Sequence, residues 1–423
     1  AGMSAAWLLS HAHHVTIYEQ ANRVGGHGCT VLVPDGARRR PVDMGFIVYN
    51  PPAYPNLVAL LRTLGVATDA SEMSFAVSAR GGKLEYAGTN LAGLFAQPVN
   101  LVRPRFWSML RDTMRFFREA PAAYASLDPG QCLNSFLATQ GYGAAFIEDH
   151  LLPMAAAIWS TPAGKVGAYP AAAFLRFCDN HGLLQATNRP AWRTVRGGAE
   201  AYIARLTARY AHQIKLGLGV RQIRRATNGV YVRDTAGMET RFDQLIVATH
   251  SDQALKLLDD PSDAEAQLLG AISYGNNEAV MHRDPRLMPK RRRVWSSWNY
   301  LDQGDARMCV SYWMNRLQKN AKASDIFVTL NPPFNANGEI ARETFAHPLF
   351  DAAAMRAQRE LWQLQGVQRT WYCGAYFGSG FHEDGLQAGL AVAEALGGMR
   401  RPWDVPNQSG RITLGKAAMM QTA

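Results

Sequence analysis

The hydrophobic pattern opens on a helix. Residues 1–9 are small and apolar at the start and amphipathic afterwards, a polar loop covers Ser10 to His14, and the run Val15-Thr16-Ile17-Tyr18 closes on Glu19 as a short strand. Helices are expected at about 54–65 and 100–120, with more near 143–178. Three alternating runs follow, Val220 to Ile223, Gly229 to Val232 and Phe242 to Thr249, separated by turns such as Asn228-Gly229. Antiparallel strands are expected at Val294 to Leu301, Met308 to Met314 and Asp325 to Leu330. Arg369 to Gly374 reads as a short buried strand ending in glycine, and Leu386 to Leu396 as a helix. The tail from Asn407 to Ala423 is small and polar and is expected to be mobile.

Two segments carry aromatic residues at telling positions. Between Arg103 and Glu119, Phe106, Met109 or Leu110, Thr113 or Met114, and Phe117 form a stripe at helical spacing. Arg111, Arg115 and Arg118 lie on another face, with Trp107 and Phe116 at the flanks. A core-packed helix with a solvated basic face is the plainer reading, and an interfacial helix on anionic lipid the alternative. Trp295, Trp298, Tyr300, Tyr312 and Trp313 fall on two neighbouring strands, and alternation sends them to both faces. One face is core, and the other lines an apolar pocket with Asn299 and Asn315 as its polar contacts.

Composition narrows the class. The 423 residues suggest two or three domains, and 48% hydrophobic with 18% charged residues is too apolar for disorder. The longest apolar run, Leu151 to Trp159, is half of what a membrane span needs, and no signal peptide is expected. Five scattered cysteines form no C-x-x-C pair, which argues against a zinc site or disulfide framework. His11, His13 and His14 read as an exposed turn, and no metal is expected. The net charge of +10 fits solubility or an anionic membrane better than nucleic acid, because no nucleic-acid-binding motif is present. The run Lys290 to Arg293 is expected to be a solvated loop.

Helix, turn, strand and acid make the second half of a dinucleotide-binding βαβ unit, with Gly2 as its third glycine and Glu19 as the ribose acid. Arg23-Val24-Gly25-Gly26-His27 follows directly, and two adjacent glycines let the backbone approach a phosphate. These residues, with Val42-Asp43-Met44-Gly45 and the segment Gly374 to Gly389, resemble the flavin-binding entry and exit of the amine oxidase superfamily. The narrower resemblance, over Gly2 to about Trp403, is to bacterial predicted NAD/FAD-binding proteins associated with cyclopropane fatty acid synthase. Against that pattern the chain is expected to be truncated at its N-terminus, lacking the first strand and first two glycines.

The resemblance implies an α/β fold: a Rossmann-like FAD-binding domain, first strand missing, with an α+β substrate domain. It divides the chain into a discontinuous FAD domain (1–60, 196–255 and 366–405), a substrate region (61–195 and 256–365) and a tail (406–423). It implies FAD as cofactor, held by Gly2, Glu19, Arg23, Gly25, Gly26, His27, Gly45, Val220, Thr249, Gly374, Asp384, Gly385 and Gly389. His382, Tyr376, Trp298 and Trp313 are candidates for the pocket over the flavin.

The expected activity is FAD-dependent removal of hydride from an apolar substrate, a lipid acyl chain. The alternatives are a small-amine oxidase and a non-catalytic scaffold for a lipid methyltransferase. The lysine that amine oxidases place near the flavin has no match, which favours the first. Expected partners are the apolar substrate, an anionic membrane touched peripherally and a lipid methyltransferase, with no nucleic acid. The expected location is cytoplasmic, peripheral at the inner membrane surface.

Overall fold

The structure, a computed structural model, describes all residues except 124–126, 129, 186–188, 303–307, 319–323 and 416–423. The helices that matter for the site are α1 (Gly2–Leu9), α2 (Pro55–Thr63), α3 (Leu91–Leu94), α4 (Pro104–Ala123), α5 (Ala171–Asn180), α6 (Ala199–Thr207) and α7 (His382–Gly397). The strands are β1 (Ile17–Glu19), β2 (Phe75–Ala79), β3 (Leu84–Ala87), β4 (Ile214–Leu216), β5 (Leu245–Val247), β6 (Ser273–His282), β7 (Trp298–Leu301), β8 (Cys309–Trp313), β9 (Phe327–Leu330), β10 (Ala341–Leu349) and β11 (Thr370–Tyr372).

The nucleotide side is built from two parallel pairs. β1 pairs with β4, aligning Glu19 with Leu216, and β5 pairs with β11, aligning Val247 with Tyr372. The two pairs form separate sheets, each beside helix α1 or α7. Residues 220–242 fold as a three-stranded antiparallel meander whose third strand is Glu239–Phe242, while the expected third run, Phe242 to Thr249, mostly forms β5 outside it. α1 lies against α7 at Gly389, where a Cβ would collide with the Ala1 carbonyl and the Ser4 hydroxyl.

The other side is a seven-stranded sheet in the order β10-β6-β9-β8-β7-β2-β3, antiparallel except for the β7–β2 pair. Four of its strands escape the sequence pattern. β2 and β3 are buried on both faces, so they show no alternation. β6 carries Asn276, Asn277 and Glu278 in its middle, and β10 is broken by charge at Arg342 and Glu343, because these strands border the cleft described below. The main apolar core fills the space between this sheet and helices α4 and α5, with Phe116, Phe146, Phe174 and Val310 fully buried.

α4 corrects the expected stripe. Its buried side is Phe106, Met109, Thr113, Phe116 and Ala120, whereas Met114 is exposed and Phe117 half-buried. No helix among the described residues is long and apolar enough to cross a membrane. The described part of the tail is packed rather than loose. Ile412 is buried and Arg411 reaches Asp384.

Candidate functional site

A cleft of about 2070 Å³ opens between the two parallel pairs and the seven-stranded sheet. Ordinary ligand pockets hold roughly 300–1,000 Å³, so this one has room for a large cofactor and a second molecule.

At its nucleotide end the loop after β1 is shaped by glycine. Arg23 Nη1 donates to the Gly26 carbonyl at 2.9 Å, and the Gly28 N–H to the Gly25 carbonyl at 2.8 Å. Gly25 and Gly26 have φ of 117° and 55°, the left-handed region that side chains avoid. A Cβ on Gly25 would strike the Gly28 carbonyl, and one on Gly45 the His27 carbonyl. The Phe46 N–H closes this clasp by donating to the same His27 carbonyl at 2.7 Å. On the facing helix, a Cβ on Gly2 would lie 2.9 Å from Ala248 Cβ, so α1 approaches the end of β5 as a third glycine allows. Gly2, Glu19, Arg23, Gly25, Gly26, His27, Gly45, Val220, Thr249, Gly374 and Gly385 all line the cleft.

Asp384 and Gly389 do not. Asp384 is fully buried, accepts the Phe381 N–H at 2.7 Å as the cap of α7, and is paired with Arg411 at 2.5 Å. Its neighbour Glu383 is also turned inward and accepts the N–H groups of Asn56 and Leu57 at the start of α2. Gly389 is the contact between α1 and α7. Both residues build the wall rather than face the ligand. Asp43, of the D-x-G stretch, is likewise structural. It accepts hydrogen bonds from Thr30, the Ala199 N–H and Gln318, and burial pushes its carboxyl up to about 6.

Two further imidazoles join His27 here. Its ring lies 5.2 Å from that of His347 and 6.4 Å from that of His250. Hydrogen bonds set the tautomer of His347. The Glu278 N–H donates to Asn331 Oδ1, and Asn331 Nδ2 donates to Asn277 Oδ1, so Asn277 Nδ2 must donate to His347 Nδ1 at 3.0 Å. His347 therefore carries its proton on Nε2. The backbone N–H of His250 donates to Gln253 Oε1 at 3.3 Å, at the start of the following helix, Ser251–Leu257. Burial in the cleft wall holds His27 down to about 3 and His347 down to about 4, and lowers His250 as well, so all three are neutral near pH 7. A double-glycine loop, an arginine and neutral N–H donors suit the oxygens of a dinucleotide. The group named by the resemblance therefore fits these residues. His250 follows the Ala-Thr strand end and was open to inference, whereas nothing local in the sequence marks His347.

The opposite end is aromatic. Phe177 stacks on His181 at 3.9 Å and on Phe381 at 4.6 Å, and Trp159 packs against Phe177 at 4.5 Å. Trp298 meets Tyr312 edge-on at 5.1 Å. His181 Nδ1 is 2.9 Å from the Phe177 carbonyl, which can only accept, so the ring proton sits on Nδ1. Its Nε2 has no partner among the described residues, nor do Trp298 Nε1 and Tyr376 Oη.

Of the four pocket candidates, Trp298, Tyr376 and His382 line the cleft. His382 stacks on Phe46 at 4.0 Å, and its Nε2 is 2.8 Å from the Tyr202 hydroxyl. Trp313 is a correction. Alternation along β8 puts Tyr312 on the cleft face and Trp313 on the other, where its Nε1 donates to Asp325 at 3.0 Å. Asn299 and Asn315 are also not cleft contacts. Asn299 is bonded to Ser296 and Ser311 in the sheet, and Asn315 accepts the Ile326 N–H. Nothing in the spacing of Trp159, Phe177 and His181 singles them out in the sequence.

Comparison with known proteins gives the same architecture. The family model described as flavin containing amine oxidoreductase matches residues 1–329. No curated protein matches the chain in sequence. Among solved structures, cyclohexylamine oxidase from Brevibacterium oxydans is 16% identical, with a TM-score of 0.65, over 93% of this chain and 96% of that one. A CLA-producing fatty acid isomerase from P. acnes is 17% identical, with a TM-score of 0.66 over the same shares. Putrescine oxidase bound to putrescine is 14% identical, with a TM-score of 0.65, again over 93% and 96%.

Proposed function

We propose that this chain, which belongs to the flavin-containing amine oxidoreductase family and is an FAD-dependent oxidoreductase, oxidises an uncharged apolar substrate, with a lipid acyl chain as the class. The observation that carries the substrate reading is the aromatic end of the cleft. Met73, Ile158, Trp159, Phe177, Leu183, Trp298 and Phe381 line it, and its ionisable neighbours His181 and His382 are held neutral by burial. An ammonium ion desolvated there would lack a counter-charge, which costs several kcal/mol. The fatty acid isomerase of the same fold is an instance of this architecture acting on an acyl substrate.

The chain's residues divide the work. Glu19 at the end of β1 is placed to accept from ribose hydroxyls, and Arg23 with the 25–27 loop to hold phosphates. The start of α7, with His382 and Gly385, borders the cleft between the two ends. When bound, FAD supplies a hydride acceptor. The aromatic wall orients a substrate C–H bond and excludes water, and a second proton leaves to solvent or a neighbouring group. Substrate loses two electrons and two protons in all, and dioxygen or another acceptor takes up the electrons.

The test is product analysis. The protein is incubated in air with dispersed phospholipid, with free fatty acid or with small amines, and products are read by mass spectrometry. An acyl product lighter by two hydrogens is expected. An aldehyde formed from the amines, with the lipids unchanged, would overturn the substrate reading in favour of amine oxidation.

A further inference from the structure

The outer face of α4 is unusual for a soluble surface. Among the described residues, eleven large apolar side chains are well exposed, and six of them fall between residues 91 and 114: Leu91, Val99, Leu101, Val102, Trp107 and Met114. Leu91 and Val102 are the most open, at 74% and 77%. Scattered exposed apolar residues need no explanation, but a cluster does.

The cluster is one surface. Trp107 Nε1 donates to the Leu101 carbonyl at 2.8 Å, and the ring of Trp107 packs 5.6 Å from that of Phe95 in the turn after α3. Along α4, positions 107, 111, 114 and 118 share a face and are all exposed, which puts Trp, Arg, Met and Arg in one row. This corrects the expected separation of the apolar and basic faces: Arg111 and Arg118 stand among the exposed apolar residues rather than opposite them.

The rim is basic. Arg103 donates to the Lys83 carbonyl at 2.8 Å, and Lys290 Nζ to the Gly81 carbonyl at 2.7 Å. The turn Arg292–Val294 packs against α3, so the run Lys290 to Arg293 borders the apolar cluster instead of standing alone. The nearby acids are already engaged, Glu119 with Arg115 and Arg118, and Glu148 with Arg105.

We propose that this face, from α3 through Val102 to the outer row of α4, docks on an anionic lipid bilayer. The apolar side chains enter the headgroup boundary, and the arginines and lysines meet lipid phosphates. Charge complementarity selects this occupant. A second copy of the chain would oppose one basic rim to another, and like charges facing each other disfavour that contact. The proposal does not rest on the substrate reading, and the two can fail separately.

The test is flotation of the purified protein with vesicles of phosphatidylcholine alone or with equimolar phosphatidylglycerol. Binding to the anionic vesicles is expected, weakening as salt is raised. Val102→Glu and Trp107→Glu are each expected to weaken it by roughly tenfold or more. Arg111→Gln with Arg118→Gln is expected to weaken it by roughly tenfold. Met238→Glu, at an exposed residue of the distant meander, is expected to leave it unchanged. Melting curves establish that each variant is folded. Equal binding of wild type and the Val102 and Trp107 variants, or no binding to anionic vesicles, would overturn the proposal. Lipid-free dimerisation abolished by Trp107→Glu would overturn it too, and would assign the face to self-association.

Discussion

Single residues decide how the cofactor end is shaped. Gly45 has no room for a side chain against the His27 carbonyl, so Gly45→Ala must displace the loop that carries Gly25 and Gly26. The expected outcome is at least a tenfold loss of FAD affinity in a folded protein, read by flavin fluorescence during titration. Asp384 gives the opposite expectation. Its partner is Arg411 and it faces away from the cleft, so Asp384→Asn is expected to lower stability by about 3 kcal/mol, the usual scale for breaking a buried ion pair. FAD affinity should change little in that variant, and a large loss of affinity without a loss of stability would return Asp384 to the cofactor. The contrast shows what local sequence could reveal. That Glu19, Arg23, Gly25 and Gly26 share one end of the cleft was legible because one short segment carries all four. The pairing of Asp384 with Arg411 was not legible, because that partner comes from the C-terminal tail and nothing in the neighbouring residues points there.

At the scale of elements, strand alternation and burial explain most of the differences from the sequence reading. β8 offers Tyr312 to the cleft and Trp313 to the far side, and β7 offers Trp298 but not Asn299. Trp298→Ala is therefore expected to raise the KM for an apolar substrate by roughly tenfold through lost contact area. Trp313→Ala should leave KM within about twofold and act on stability instead. Steady-state kinetics with thermal melting separates the two. β2 and β3 were missed because a strand covered on both faces has no period to read, and β6 because its cleft-facing middle is polar. The helices α2 and α4 were legible, since each buries one side only.

Over the whole molecule, buried imidazoles dominate the pH response. Burial holds His27, His181 and His382 down to about 3, and His150, His282 and His347 down to about 4, against an ordinary value of 6.5. Below 6.5 the unfolded chain binds protons that the folded chain refuses, so stability falls as pH drops from about 6.5 towards 4. The carboxyls Asp43, pushed up to about 6, and Glu383 and Asp384, also raised by burial, work in the other direction, but they are three groups against the six imidazoles and His250. The melting temperature of the cofactor-free protein is thus expected to decline steadily over that window, and a flat profile would show that these rings are not buried as described.

The cleft itself joins the two halves of the account: a glycine-shaped loop with neutral N–H donors at one end, an aromatic wall at the other. Anaerobic mixing of the FAD-loaded protein with dispersed acyl lipid, followed at the visible flavin band, tests that junction most directly. Bleaching by acyl lipid, with none by small amines at equal concentration, is the predicted result. Bleaching by amines alone would contradict it.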